Sequence, residues 1–266
     1  MSLTWQPERP LRAGPVGWAG RLRAVARGGP LTLLLGGGLL LLLLVRLVER
    51  PLHHPRRPWT PWITVGVCRG ALRLVGLRLA REGAPMRGPG AVVANHSSWL
   101  DILVLNAARP VVFVSKAEVA GWPGLGWLAR ATGTLFVRRE ARGEAARQVA
   151  AIRERIERGE AVVLFPEGTS TDGRRVLPFK PALLGAVPPG ALVQPVTLSW
   201  AAPEGEDPRF YGWFGGQDFG PHALAVLAAR RPGGVTVTWH PPIRVEGQDR
   251  KALARGAEAV VRSALR

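Results

Sequence analysis

The chain has 266 residues, of which 47% are hydrophobic and 21% are charged, and its formal net charge is +17 at pH 7. The hydrophobic fraction excludes a disordered chain, and the length suits one large α/β domain with a smaller appendage. The single cysteine, Cys68, excludes a disulfide framework and a cysteine-thiolate metal cluster.

The N-terminal part combines an arginine-rich segment with a strongly apolar one. Residues 1–30 are rich in Arg, Gly and Pro and are predicted to form a basic, loosely ordered N-terminus. Residues 31–48, "LTLLLGGGLLLLLLVRLV", would extend about 27 Å as a helix, against roughly 30 Å for the hydrocarbon core of a bilayer. This length leaves open whether the segment crosses the bilayer or enters one leaflet and returns. No small-residue cleavage site follows it, which favours an uncleaved anchor over a signal peptide.

A second helix is predicted over residues 59–80. Tryptophan and arginine fall near one face of it and leucine and valine on another, which suits a helix lying among lipid headgroups. An ordinary amphipathic helix packed on the domain is the alternative. We therefore predict membrane-associated helices over residues 31–82 and an α/β domain over residues 83–266.

From about residue 89 onwards, short β-prone runs alternate with helical stretches. Strands are predicted at residues 91–94, 111–115, 134–137, 161–165, 192–200 and 235–240. Helices are predicted at residues 143–158 and over the last 18 residues. The alternation predicts an α/β fold in which a single sheet of mostly buried strands is flanked by helices.

The heptapeptide "NHSSWLD", residues 95–101, follows the first of these strands. On a continuous helix His96 and Asp101 would diverge by about 140°, so they cannot share a helical face. If Ser97 or Ser98 is the N-cap, however, His96 lies in the strand-to-helix turn and can fold back over Asp101 in the first helical turn. The carboxylate then accepts from one imidazole nitrogen and leaves the other as a base. A purely structural capping role for Asp101 is the alternative.

A second turn, "LFPEGTS" at residues 164–170, follows another apolar strand. A proline ends the strand, and Gly168 permits a positive φ, so the turn can point backbone N–H groups into a site. Glu167 and Thr169 would project at its edge. A β-turn alone explains the proline and the glycine but not their combination with His96.

Four blocks in this order resemble those of the glycerolipid acyltransferases, the family of bacterial 1-acylglycerol-3-phosphate acyltransferase. "NHSSWLD" resembles the H-x-x-x-x-D block, "GTLFVRR" (133–139) the second block, "FPEGTS" the third and "VQPV" (193–196) the fourth. The blocks cover roughly residues 90–200. The long form of the third block, "STDGRRVLPFKPALLGAV", is similar to that of the ornithine-lipid and related lysolipid acyltransferases.

The resemblance implies transfer of a fatty acyl group from acyl-CoA or acyl-ACP to the hydroxyl of a lysophospholipid. The first expectation for the acceptor is 1-acylglycerol-3-phosphate, which gives phosphatidic acid, and another lysolipid such as lyso-ornithine lipid is the alternative. His96 would be the general base, and Asp101 would hold its tautomer and stabilise the imidazolium. No metal and no cofactor beyond the acyl thioester co-substrate is expected.

The resemblance also implies a set of substrate-binding residues. Arg139 would bind the acceptor's phosphate, with Lys116 as a second candidate. Glu167 would orient either the glycerol hydroxyls or the helix that carries His96. The turn at Gly168 would offer a backbone N–H to the oxyanion, and Thr169 stands beside it.

The expected partners are membrane lipid, the lysophospholipid acceptor and the acyl-CoA or acyl carrier protein donor. The resemblance implies an active site facing the cytoplasm at a bacterial inner membrane. Nucleic acid is not expected, because the sequence has no Cys/His finger spacing and no aromatic RNA-binding motif. A distant alternative, a non-enzymatic basic membrane-surface protein, explains the charge and the anchor but not the four ordered blocks.

Overall fold

The computed structural model of the chain describes residues 5–7, 11, 14–137 and 145–266. Its helices are α1 (Trp18–His53), α2 (Thr60–Val75), α3 (Leu100–Ala108), α4 (Leu125–Ala131), α5 (Ala145–Glu157), α6 (Phe219–Ala228) and α7 (Arg250–Ser263). Its strands are β1 (Arg78–Gly83), β2 (Gly90–Ala94), β3 (Val112–Lys116), β4 (Leu135–Val137), β5 (Ala161–Leu164), β6 (Leu192–Ala201), β7 (Gly234–Trp239) and β8 (Ile243–Arg244). The predicted α/β fold, one sheet flanked by helices, is confirmed.

The strands form one sheet in the order β1-β7-β6-β2-β5-β3-β4, and β8 pairs with β6. The central strand β2 runs parallel to both of its neighbours, β5 and β6. β7 and β8 pair antiparallel with β6, and β1 pairs parallel with β7. Because the carboxyl ends of β2 and β5 therefore meet at one edge, the segments that follow them lie next to each other, in the crevice where open α/β sheets bind ligands.

Helices cover both faces of this sheet. Side chains of β2 alternate between two hydrophobic clusters, because successive residues of a strand point to opposite faces. Val92 and Ala94 pack with residues of α2, α3 and α6, whereas Ala91 and Val93 pack with residues of α5 and α7. Every residue of β2 is buried. The chain that leaves β2 is consequently anchored in the middle of the core.

The six predicted strands are all present, each with ends within one residue of the prediction. The predicted helix over residues 143–158 is α5, although residues 143 and 144 lie outside the described part, and the closing helix is α7. Strands β1 and β8 were not predicted. Both are short, and neither shows the apolar pattern that identifies a buried strand.

The N-terminal helix is longer than predicted. Because α1 begins at Trp18, the expectation of a loosely ordered segment is wrong for residues 18–30. Arg23 and Arg27 donate to three carbonyl oxygens at the C-terminal end of α6, at 2.7–2.9 Å. Basic side chains satisfy the unpaired carbonyls at a helix end and interact favourably with its dipole. This long-range contact holds a segment whose composition alone indicates little order.

The second helix is shorter than predicted. It ends at Val75, where Gly76 adopts a left-handed conformation with φ of 82°, and the chain then enters β1, which pairs with β7. The predicted boundary between residues 31–82 and 83–266 is therefore wrong, because it falls inside a strand of the sheet. The buried side chains of α2 include Cys68 and Leu72, which belong to the core. Packing on the domain, the second alternative, describes this face of α2.

Helices α1 and α2 pack side by side through small residues. A Cβ atom on Gly38 would lie 2.4 Å from Val67, and one on Gly70 would lie 2.8 Å from Leu34, so larger side chains would separate the helices. Glu49 of α1 is buried, and its carboxylate accepts from the backbone N–H groups at the start of α2. Within the described part of the chain, α1 is the one helix long and apolar enough to cross a membrane.

Candidate active site

The predicted histidine–aspartate pair is formed across the turn between β2 and α3. Nδ1 of His96 lies 2.8 Å from Oδ2 of Asp101. Asp101 is fully buried, whereas the side chain of His96 is 23% exposed. A carboxylate accepts hydrogen bonds, so we assign the ring proton to Nδ1 and the lone pair to Nε2. The exposed ring can therefore present a base to a substrate.

The turn folds around the same carboxylate. Oδ2 of Asp101 also accepts the backbone N–H groups of Ser97 at 2.8 Å and Ser98 at 2.9 Å. Helix α3 begins at Leu100 with Trp99 as its N-cap residue, so the prediction that a serine is the N-cap is wrong. The capping and catalytic interpretations of Asp101 are not exclusive, since one carboxylate satisfies the turn and holds the imidazole.

Two further residues of this network were missed from the sequence. The indole Nε1 of Trp200 donates to Oδ1 of Asp101 at 3.0 Å. The buried side chain of Asn95 bridges to β6, accepting from Leu198 N at 2.8 Å and donating to Leu198 O at 3.0 Å. Trp200 is the last residue of the predicted strand that contains the fourth block. Only the strand order, which places β6 beside β2, would have pointed to it.

An aromatic ring fixes the plane of the imidazole. Phe165 stacks on His96 with ring centroids 4.1 Å apart and an interplanar angle of 19°. Phe113 lies behind it, at 6.4 Å. Phe165 directly follows β5, so its position comes from the parallel pairing of β5 with β2. The stacking restricts rotation of the imidazole about its side-chain bonds.

Glu167 supports the turn that carries His96. One carboxylate oxygen accepts the backbone N–H of His96 at 2.7 Å, and the other accepts that of Leu177 at 2.7 Å. The side chain is fully buried, and this burial raises the pKa of Glu167 to about 8. Both carboxylate oxygens accept backbone N–H groups, and a contact of Glu167 with substrate stays a prediction. Of the two predicted roles, orienting the segment of His96 is the one the contacts favour.

Gly168 and Thr169 shape the neighbouring turn. Gly168 has a positive φ of 77°, as predicted. Its N–H donates to the carbonyl of Phe165 at 3.1 Å and so closes the turn. That an N–H of this turn stabilises the oxyanion stays a prediction. The hydroxyl of Thr169 accepts from the backbone N–H of Trp5 at 3.2 Å. Thr169 thus contacts the N-terminal segment, and its substrate contact stays a prediction.

Two predicted substrate-binding residues remain, Lys116 and Arg139. Lys116 ends β3 at the same edge of the sheet. Arg139 lies outside the described residues, and its phosphate-binding role stays a prediction. In the described ranges, no group of three or more His, Cys, Asp or Glu side chains is arranged to hold a metal ion.

Comparison with known proteins shows similarity over the whole chain. Residues 78–199 match a family model described as Acyltransferase. A lyso-ornithine lipid O-acyltransferase from Rhodobacter capsulatus is 51% identical over 98% of this chain and 96% of that protein. A 1-acyl-sn-glycerol-3-phosphate acyltransferase from Neisseria gonorrhoeae is 38% identical over 51% of this chain and 54% of that protein. The crystal structure of the 1-acyl-sn-glycerophosphate acyltransferase PlsC from Thermotoga maritima has a similar fold, with a TM-score of 0.63 and 23% identity, covering 90% of this chain and 92% of that one.

Proposed function

The chain belongs to the acyltransferase family, and from this membership we propose that it transfers a fatty acyl group from a thioester to the free hydroxyl of a lyso-ornithine lipid. The relative with that acceptor in its name aligns over nearly the full length of both chains. The long third block, similar to that of the ornithine-lipid acyltransferases, supports the same acceptor. The observation that carries the reaction type is the 2.8 Å contact between His96 and the buried Asp101.

The chemistry follows from this contact. Nε2 of His96 takes the proton of the acceptor hydroxyl while its oxygen attacks the thioester carbonyl carbon. The tetrahedral intermediate then collapses, the carbon–sulfur bond breaks, and the leaving thiol takes the proton back from Nε2. Asp101 stabilises the imidazolium between these two steps. A thioester is reactive enough that the base and the alcohol suffice, without a nucleophile from the protein.

A second acceptor, 1-acylglycerol-3-phosphate, was the first expectation from the sequence. It is supported by the relative from Neisseria gonorrhoeae, which aligns over about half of each chain. Arg139 is the residue that would bind its phosphate. The donor, acyl-CoA or acyl-ACP, is part of the proposal for either acceptor.

Product analysis tests the proposal directly. The purified full-length chain is given lyso-ornithine lipid or 1-acylglycerol-3-phosphate, each with acyl-CoA and with acyl-ACP, and products are identified by mass. The His96→Ala variant measures uncatalysed acyl transfer. We expect acylated lyso-ornithine lipid above this background. Phosphatidic acid alone would establish the second acceptor, and no acylated lipid in any combination would contradict lysolipid acyl transfer.

We further propose that α1 lies within one leaflet of the membrane, with the α/β domain on the cytoplasmic side. The outward face of α1 exposes large apolar side chains: Trp18, Leu22, Val25, Leu33, Leu40, Leu41, Leu43, Leu44, Leu47, Val48 and Leu52. An exposed apolar surface of this extent is typical of a membrane contact. Both ends of the helix are held on the same body, through Arg23 on α6 and Glu49 on α2. A helix that crossed the bilayer would separate these ends by about 30 Å of hydrocarbon.

Labelling from each side of the membrane tests this topology. The only native cysteine, Cys68, is buried and gives the background. Gly17→Cys and His54→Cys introduce exposed thiols just outside the two ends of α1, beyond its apolar face. We expect a membrane-impermeant maleimide to label both in inside-out vesicles and neither in right-side-out vesicles. Labelling of the two positions from opposite sides would establish a crossing helix.

A further inference from the structure

Two loops flank the catalytic turn and are bonded directly to it. The first loop, residues 169–175, donates the N–H of Thr171 to the carbonyl of His96 at 2.9 Å. The second loop, residues 207–215, donates the N–H of Trp213 to the carbonyl of Ser97 at 2.7 Å. Consecutive carbonyls of the catalytic turn therefore hold the two loops on either side of it.

Each loop carries one arginine–aspartate pair. In the first loop, Nε and a terminal nitrogen of Arg175 donate to the two oxygens of Asp172 at 3.2 and 3.1 Å. In the second, Nε and a terminal nitrogen of Arg209 donate to the two oxygens of Asp207 at 2.9 and 2.7 Å. The two pairs differ in which partner is the more exposed. The side chain of Arg175 is 49% exposed and that of its partner Asp172 is 4% exposed. In the second pair, Asp207 is 35% exposed and Arg209 is 22% exposed. One loop thus presents a guanidinium and the other a carboxylate.

Trp5 joins the two loops. Its backbone N–H donates to Thr169, its ring lies 5.1 Å from the guanidinium carbon of Arg175, and it packs edge-on against Phe214 at 5.4 Å. The ring and Asp172 hold the guanidinium in place, while its second terminal nitrogen, Nη1, has no hydrogen-bond partner among the described residues. This nitrogen can donate a charge-assisted hydrogen bond to an anion.

The charges of the loops also influence each other. The pKa of Asp207 is lowered chiefly by its hydrogen bond from Arg209 and additionally by the charge of Arg174 in the first loop. The pKa of Arg209 is raised chiefly by Asp207 and additionally by the charge of Asp172. The contacts of Trp5 with Arg175 and with Phe214 place the two loops next to each other, so that one ligand can meet both pairs.

We propose that Arg175 and Asp207 bind the zwitterionic headgroup of an amino-acid lipid, with its carboxylate on Arg175 and its ammonium on Asp207. This inference rests on the proposed function. Ornithine attached to a lipid through one of its two amino groups keeps one carboxylate and one ammonium. The two arginine–aspartate pairs together carry no formal net charge, which favours a zwitterion over a doubly charged phosphate. Alternating charges suit a ligand that carries both signs.

The first test removes the guanidinium. In the full-length chain, Arg175→Gln should raise KM for lyso-ornithine lipid about tenfold or more, as expected for loss of a charge-assisted bond. The kcat should stay near the wild-type value, because binding of a remote group is lost equally from the ground and transition states. Arg175→Lys should recover part of the loss, since it keeps the charge without the fork.

The matched control is Arg244→Gln. Arg244 is an exposed arginine that donates to the carbonyl of Gly190 at the opposite, amino-terminal end of β6. It should leave KM and kcat unchanged. Melting temperatures of all variants verify folding, and Arg175→Lys keeps the test valid if Arg175→Gln does not fold.

The second test removes the contact between the ammonium and Asp207, first by changing the lipid and then by changing the protein. Acetylation of the free amino group of lyso-ornithine lipid should raise its KM with the wild-type chain, and Asp207→Asn should raise KM for the unmodified lipid. Combining the two changes should add little, because they remove the same contact.

The outcomes separate the headgroup site from the proposed function. Wild-type activity on lyso-ornithine lipid with an unchanged KM in Arg175→Gln would overturn the headgroup site and leave the function intact. An equal rise in KM for 1-acylglycerol-3-phosphate in Arg175→Gln, with no effect of Asp207→Asn, would assign the cluster to anions in general and overturn the zwitterion site. If the wild-type chain acylates no lyso-ornithine lipid, the proposed function fails and the headgroup site with it.

Discussion

The turns after β2 and β5 are built on similar backbone contacts, but their buried carboxylates have different functions. Both leave buried parallel strands at the same edge of the sheet, and each contains a buried carboxylate that accepts two backbone N–H groups. Asp101 accepts from the amides of its own turn, and its oxygen also binds the ring of His96. Glu167 accepts from more remote amides, those of His96 and Leu177, and does not bind the ring.

The difference shows that position decides what a buried carboxylate does. Asp101 binds the amides of Ser97 and Ser98 and the ring of His96, so it acts on proton transfer. Glu167 ties the β5 turn to the β2 turn across 71 positions of the chain, so it acts on the placement of that ring. We therefore expect substitution of Asp101 to lower turnover and substitution of Glu167 to change stability. Three substitutions can test this difference.

The largest effect is expected for Asp101→Asn. An amide keeps the size of the side chain, but its oxygen can satisfy the serine amides while its NH2 group faces Nδ1 of His96. That arrangement favours the tautomer with the proton on Nε2, which removes the base. We expect turnover to fall by about 10²–10⁴-fold with little change in melting temperature. Near-normal turnover in the folded variant would mean that Asp101 serves the turn alone.

Glu167→Gln should act on stability and its pH dependence. Burial raises the pKa of Glu167 to about 8 in the folded chain, against an ordinary pKa of 4.5 in the unfolded chain. The raised pKa stabilises the folded state fully below about pH 4.5, and this stabilisation, on the order of a few kcal/mol, is lost as pH rises towards 8. Glutamine does not titrate, so the wild-type free energy of unfolding should fall relative to the variant between pH 5 and 8.

Urea unfolding across this pH range measures the difference. Glu154→Gln, an exposed glutamate on α5, is the matched control and should show a flat difference. Turnover of Glu167→Gln should stay far closer to wild type than that of Asp101→Asn. A pH-independent difference for Glu167→Gln, or a loss of turnover as large as that of Asp101→Asn, would break the separation between the two carboxylates.

The smallest effect is expected for Trp200→Phe. It removes one hydrogen bond from Asp101 but leaves the contact between Asp101 and His96 in place. We expect kcat to fall by no more than about tenfold, equivalent to about 1.4 kcal/mol. Trp127→Phe, an exposed tryptophan on α4, should leave kcat unchanged. A loss as large as that of Asp101→Asn would show that Trp200, and not the turn, holds the carboxylate.

Local patterns predicted the elements that build the site. Runs of four to nine residues identified the buried strands, and the five-residue spacing of His96 and Asp101 excluded a shared helical face. The turn geometry that brings them together followed from this exclusion. Both inferences depend on residues close in sequence, which is why they could be made without a structure.

Contacts between distant residues could not be predicted in this way. Trp200 reaches Asp101 across 99 positions, and Trp5 reaches Thr169 across 164. The start of α1 at Trp18 depends on arginines that cap α6, more than 200 residues away. Glu167 was predicted at the edge of the site because it lies in a turn after a strand. The pairing of β5 with β2 instead buries its side chain against the backbone of His96.

The central claim, that His96 is the base of a lysolipid acyl transfer, is tested most directly by turnover of His96→Ala. Steady-state formation of acylated lyso-ornithine lipid is measured on the full-length wild-type and variant chains, together with their melting temperatures. The account predicts a loss of about 10²–10⁴-fold in turnover while the fold survives, since the ring is partly exposed and packs mainly on Phe165. Near-normal turnover in folded His96→Ala protein would contradict it.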